Sequence, residues 1–189
     1  GDKIEGIAQK SSIMTEVNNI KNGIQLALRS EAIRATDSTA SGKIETLEGI
    51  AEQQFFADQI NNELQSTSAA TLDTINTYQA ISFGSGNNLE ITMVLPAKAN
   101  AGPNARPGLF IDMSKGSLAT NAGFLEKQLI ADLSSLASID AHQTAATYNT
   151  TIDIEGNLAT PATAATGTDV DGKFVIYFKD LPRGMIDNN

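Results

Sequence analysis

The sequence contains no cysteine and no tryptophan, and it has a single histidine. Without cysteine there are no disulfides, no thiol nucleophile and no thiolate metal site; the redox compartment stays open, because many exported proteins also lack cysteine. Aromatic residues make up only 5% of the chain. That scarcity argues against an aromatic-lined sugar cleft and leaves the core to Ile, Leu, Val and Ala. Basic residues are outnumbered, 13 against 22 acidic, for a formal net charge of -9. Such a chain repels the phosphate backbone and anionic lipid, so nucleic acid is not an expected partner. No apolar run approaches membrane-spanning length, and the first residues lack the basic, apolar and small-residue succession of a signal peptide.

What is present is enough for a core. At 189 residues with a hydrophobic fraction of 41%, one domain spanning 1–189 is the expectation. Its N-terminal part is helical in pattern. Ile4, Ile7, Ile13, Met14, Val17, Ile20, Ile24 and Leu28 recur at three- and four-residue steps, while Lys3, Lys10, Asn19, Lys21 and Asn22 fall mostly elsewhere. The pattern predicts an amphipathic helix over 1–35, about 50 Å long at its full extent. A domain of this size is roughly 40 Å across, so the helix is expected to overhang it. Gly6 and Gly23 are the weak points, and a break at "NNIKNG" leaves a two-helix reading open.

The globular part, 36–189, begins with the turn-forming "TDSTASG". Leu47, Ile50, Ala51, Phe55, Ile60 and Leu64 then predict one helix over 44–66. From Thr77 the period changes to two: "TYQAISF" and "LEITMVLP" flank "GSGNN" as a hairpin, with Pro96 ending the second arm. "LFIDM" predicts a short strand. Phe124, Leu125, Leu129, Leu133 and Leu136 predict a further helix over 122–138, capped by Asn121 or Thr120. "TTIDIE", "NLATPAT" and "KFVIYF" are strand candidates; Pro161 points to an edge, and the dense "KFVIYF" run to a central position. The fold class is therefore α+β: a long N-terminal helix on an antiparallel sheet, with two further helices.

Residues able to carry chemistry are few. His142 with Asp140 offers half of a Ser-His-Asp arrangement, but no nucleophile elbow accompanies it. Asp153 and Glu155, two apart in a candidate strand, would share a face as paired acids do in glycoside hydrolysis. Asp169 and Asp171 in "DVDG" place hard oxygen ligands beside a glycine, the only calcium site the sequence suggests, although no EF-hand frame closes on an acid. An Asp-Gly hairpin turn accounts for the same letters. "SFGSGNN" leads into a strand rather than a helix N-terminus and is no phosphate loop. Arg29 and Arg34, with Glu5 and Glu31 nearby, read as a solvated helix face. No cofactor other than calcium is expected.

The order of elements resembles that of a type IV pilin or a type II secretion pseudopilin: a long amphipathic helix, a polar connector and an antiparallel sheet without a catalytic motif. The stretch "IAQKSSIMTEVNNIKNGIQLALRSEAIRA" is similar to the soluble half of the pilin helix. The chain lacks the C-terminal cysteine pair and the cleavage motif, and it carries more helix than a minimal pilin, which points to a minor pilin or an elaborated relative. The resemblance implies a non-enzymatic filament subunit that contacts sister subunits through its N-terminal helix. It also implies a membrane anchor, an apolar segment expected upstream of Asp2, and a place at the bacterial cell surface, in the periplasm or outside the cell. The other readings are an exported binding, adhesion or virion structural module, and a hydrolase using paired carboxylates.

Overall fold

The first element, α1, runs unbroken over Asp2–Arg29. Of the stripe the sequence pattern marks, Ile13, Val17, Ile20, Ile24 and Leu28 are almost wholly shielded from solvent, and Ala27 joins them. The break considered at Gly23 does not occur. The helix stops six residues short of the expected end because Glu31 turns into the left-handed region, φ 55°. The N–H of Ala32 then bonds Ala27 O at 3.0 Å and that of Glu31 bonds Leu28 O at 2.9 Å, a Schellman ending that satisfies the last carbonyls. Ile33, four residues beyond α1, is thereby delivered into the core, where it bridges to Ile44.

This computed structural model describes residues 2–66, 74–84, 88–162 and 170–189. Where one helix is expected over 44–66 there are two, α2 (Leu47–Glu52) and α3 (Asp58–Ser66). Thr46 caps α2, its hydroxyl accepting from Gly49 N at 3.1 Å. Between them the chain turns through Gln54 at φ 62° so that Phe56 can reach α1. Asn61 holds that turn by bonding both Phe56 N (3.2 Å) and Phe56 O (2.8 Å). The further α-helices among the described residues thus include α2, α3 and α4 (Ala122–Leu133) rather than the two expected.

The sheet has five strands, β1 (Thr77–Gln79), β2 (Glu90–Val94), β3 (Gly108–Asp112), β4 (Ala137–Asp140) and β5 (Lys173–Phe178), in the order β1-β2-β3-β5-β4, with every neighbouring pair antiparallel. The hairpin forms, but its first arm is short, since Ile81–Phe83 is a single 3₁₀ turn. β5 is interior, pairing with β3 (Ile111↔Phe174, Leu109↔Ile176) and with β4 (Ile139↔Ile176, Ser138↔Tyr177). Its alternate residues serve two layers. Phe174, Ile176 and Phe178 join the core shared with α1, while Val175 and Tyr177 pack with Val94, Ile152, Phe110 and Tyr148 on the opposite face.

Two expected elements differ. α4 ends at Leu133, and the last two residues assigned to its continuation, Ala137 and Ser138, open β4, because Ala137–Asp140 take the free edge of β5. Leu136 consequently leaves the helical face and is 57% exposed. Asn121 stands at the N-cap of α4 but makes no side-chain cap bond; its amide donates to Gln9 Oε1 at 2.8 Å. "TTIDIE" is not a strand. Asp153 Oδ1 accepts from Glu155 N (3.0 Å) and Asn157 N (2.8 Å), and a short side chain that captures its own backbone donors diverts the segment into a turn. One bridge, Ile152↔Leu158, is what remains of the pairing there. Pro161 lies outside any strand, and 163–169 fall outside the described residues.

Candidate functional site

From Ile13 onward α1 is seated on the core, but its first turns are not. Ile4 is 74% and Ile7 52% exposed, although both continue the apolar stripe. Between them Gly6 is buried, because the ring of Phe124 at the start of α4 lies across it: a Cβ there would stand 2.7 Å from Phe124 Cε1. Polar contacts fix this crossing. Asn121 donates to Gln9 Oε1, Gln9 Nε2 reaches Ser117 O at 3.5 Å, and Lys10 Nζ pairs with Asp132 Oδ2 at 2.9 Å. The stem of the helix is thus clamped to α4 while its leading isoleucines project into water. At the same end the exposed Val170 lies beside Gly123. Covering a large aliphatic side chain is worth about 1.5–3 kcal/mol, so this end has free energy to gain from a partner.

A second surface lies toward the other end of α1. Lys21 Nζ bonds Asp180 Oδ2 at 2.7 Å and sits 5.3 Å from the centre of the Phe178 ring. With Asn18, Ser135, Leu136 and Lys179 these residues line a cavity of about 330 Å³. It is a mixed surface, part cationic and part aliphatic.

The residues singled out for chemistry are dispersed. Asp140 is fully buried, but both its oxygens are engaged, Oδ2 by Asn149 Nδ2 (2.8 Å) and Oδ1 by Ala162 N (3.0 Å). It therefore holds the loop after β4 and does not orient His142 through those bonds. Asp153 and Glu155 share a turn rather than a strand face. Asp171 Oδ1 accepts from Lys173 N at 2.9 Å beside Gly172 at φ 83°, the geometry of a tight turn leading into β5. Asp169 lies outside the described residues. No group of three or more His, Cys, Asp or Glu arranged to hold a metal occurs among the described residues, and no described helix is long and apolar enough to cross a membrane. Arg29 closes α1, whereas Arg34 lies beyond it and donates to Ala40 O at 2.6 Å.

Several buried polar groups escape a reading by motif. Glu16 is 2% exposed, and its Oε1 accepts from Ser82 Oγ at 2.5 Å. Its position between Ile13, Val17 and Ile20 was the available signal, an acid on an apolar helical face. Burial, reinforced by Glu16, pushes the Tyr78 hydroxyl up. Burial likewise raises Tyr177, whose oxygen accepts from Asn149 N at 2.7 Å. Arg106 is buried and donates to Leu181 O (3.0 Å) and Ile154 O (3.2 Å), and burial followed by repulsion from Arg183 lowers it. Glu16 ties α1 to the 3₁₀ turn at Ile81–Phe83, Tyr177 ties the loop at Asn149 to β5, and Arg106 joins its loop to Leu181 and Ile154.

No protein-family model, curated protein or solved structure matches this chain.

Proposed function

We propose that this chain is a non-enzymatic structural subunit of an extracellular or periplasmic filament of the pilin, minor pilin or pseudopilin kind, assembled through α1. The observation that carries the reading is the division of α1. Its apolar stripe is covered at Ile13, Val17, Ile20, Ile24 and Leu28 and bare at Ile4 and Ile7, on a molecule that carries a net charge of -9. Sister subunits cover the bare end, and an apolar segment continuous with α1 anchors the chain in the membrane before assembly. The clamp from α4 through Phe124, Gln9 and Lys10 supports this reading, since it fixes the direction in which the leading turns project. Repeated head-to-tail contact of one such surface with another generates a helical filament. The bacterial cell surface or periplasm follows as its location.

The absence of native cysteine makes the test direct. Single cysteines are placed at Ile4, at Ile7 and, as a control, at the exposed Ile154 in the turn that follows Ile152, and cells producing the full-length protein are treated with a short thiol cross-linker. Cross-linked dimers from Ile4→Cys and Ile7→Cys, with Ile154→Cys remaining monomeric, are expected. Monomers throughout, or equal adducts from all three, would overturn the proposal.

A further inference from the structure

Glu48 lies in the first turn of α2 and is entirely buried. One of its oxygens, Oε1, accepts from Thr74 N (2.9 Å) and Ile75 N (3.2 Å), and its own N–H bonds Ile75 O at 2.9 Å. The carboxylate is therefore held in one orientation. Its second oxygen, Oε2, is shielded from water and has no hydrogen-bond partner, and Glu48 takes part in no ion pair among the described residues. An ionised oxygen in that condition is strongly unfavourable unless a counter-charge reaches it.

The space beside it has matching chemistry. A cavity of about 340 Å³ is lined, among the described residues, by Glu48, Glu52, Gln54 and Gln65. All four carry side-chain oxygens, two of them carboxylates, and none is a cation. Glu52 follows Glu48 by four residues on the same helix, the spacing that sets two side chains on one face. Gln54 donates its amide N–H to Ala51 O at 3.3 Å, which directs its oxygen away from that carbonyl; among the described residues the oxygen accepts one bond, from Asn61 Nδ2 at 3.3 Å, and keeps a lone pair.

We propose that these four residues form a calcium site, distinct from Asp169 and Asp171. Calcium takes about 6–8 oxygen ligands in flexible geometry. The carboxylates of Glu48 and Glu52 and the amide oxygens of Gln54 and Gln65 supply the protein's share, and water completes the shell. Magnesium demands a stricter octahedron and sheds water reluctantly, so it is the less suited ion for carboxylate and amide oxygens spread over two helices and a turn. The bound ion joins α2, the α2–α3 turn and the last turn of α3, and through Glu48 it secures the segment leading into β1. The acidic surface of the chain raises the local cation concentration. The site stands apart from the exposed end of α1, and the inference does not rest on the filament reading.

The test is thermal melting of the full chain in chelator and in rising calcium chloride, with isothermal titration of calcium chloride into the chelator-stripped protein. The melting temperature should climb with calcium and keep climbing beyond saturation, as linkage requires. Glu52→Gln should weaken affinity about tenfold or more. Glu48→Gln retains an oxygen for Thr74 and Ile75 and should fold while losing the shift; Asp171→Asn should retain it. An unchanged melt between chelator and calcium overturns the proposal. So does a shift that survives in both glutamate variants, or one abolished by Asp171→Asn alone. A larger response to magnesium chloride than to calcium chloride overturns the assignment of the ion. Should Glu48→Gln fail to fold, Glu52→Gln decides by itself.

Discussion

The ring of Phe56, in the turn between α2 and α3, presses its Cδ1–Cε1 edge against Gly23 of α1: a Cβ on Gly23 would stand 2.0 Å from Phe56 Cδ1 and 2.2 Å from Cε1. The glycine is therefore a packing residue and not a hinge. It lets α1 and the α2–α3 turn approach closely, and the helix passes through it without interruption.

Gly23→Ala should accordingly destabilise the protein. The helix gains up to about 1 kcal/mol from alanine's better propensity, but a methyl group forced into a filled site costs about 1–3 kcal/mol, and Phe56 is buried with no room to retreat. Gly6→Ala meets a different ring. Phe124 is only partly buried and can swing outward, so that variant should be neutral or slightly stabilising. Urea denaturation of the two variants checks the contrast; equal effects would show that neither ring is held.

Leu28 is completely buried where α1 meets the core. Leu28→Asp removes its packing and buries a charge, and it should cost about 3–5 kcal/mol or prevent folding outright. Ser11→Asp, on the exposed side of the same helix, should change stability by less than about 0.5 kcal/mol. Lys21 is a poor control despite lying off the apolar stripe, because it pairs with Asp180 and stacks over Phe178. Chemical denaturation of both variants supplies the comparison.

All three tyrosines of the chain are raised, Tyr78, Tyr177 and Tyr148, in each case chiefly by burial. The sign follows from linkage. A folded state that holds these protons more tightly than the unfolded chain keeps its full stability below the ordinary tyrosine value of about 10, and loses stability as pH rises above it. Alkaline titration should therefore show tyrosinate absorbance appearing together with the loss of circular dichroism, in one cooperative step. Tyrosinate formed in a protein with native circular dichroism would show that the rings are accessible. Tyr177→Phe, which leaves the buried Asn149 N–H without its acceptor, should cost about 1–3 kcal/mol at neutral pH.

The α+β class, the buried stripe of α1 from Ile13 to Leu28 and the interior place of β5 were all legible in the sequence. Each is written in a local period: 3.6 residues for a helix with one covered face, or an unbroken β-prone run for a strand covered on both. Those periods record which side of an element is apolar, and nothing more. Which residue covers it was decided by contacts between distant segments. Phe56 on Gly23 split a predicted helix in two and left another whole. The open edge of β5 drew Ala137 and Ser138 out of a helical pattern and left Leu136 in water. The same apolar spacing is buried at Ile13 and exposed at Ile4, because the core ends between them. The Glu48 carboxylate had no signature either, since one oxygen bonded by Thr74 and Ile75 and the other left bare is a product of segments some 26 residues apart meeting in the folded chain.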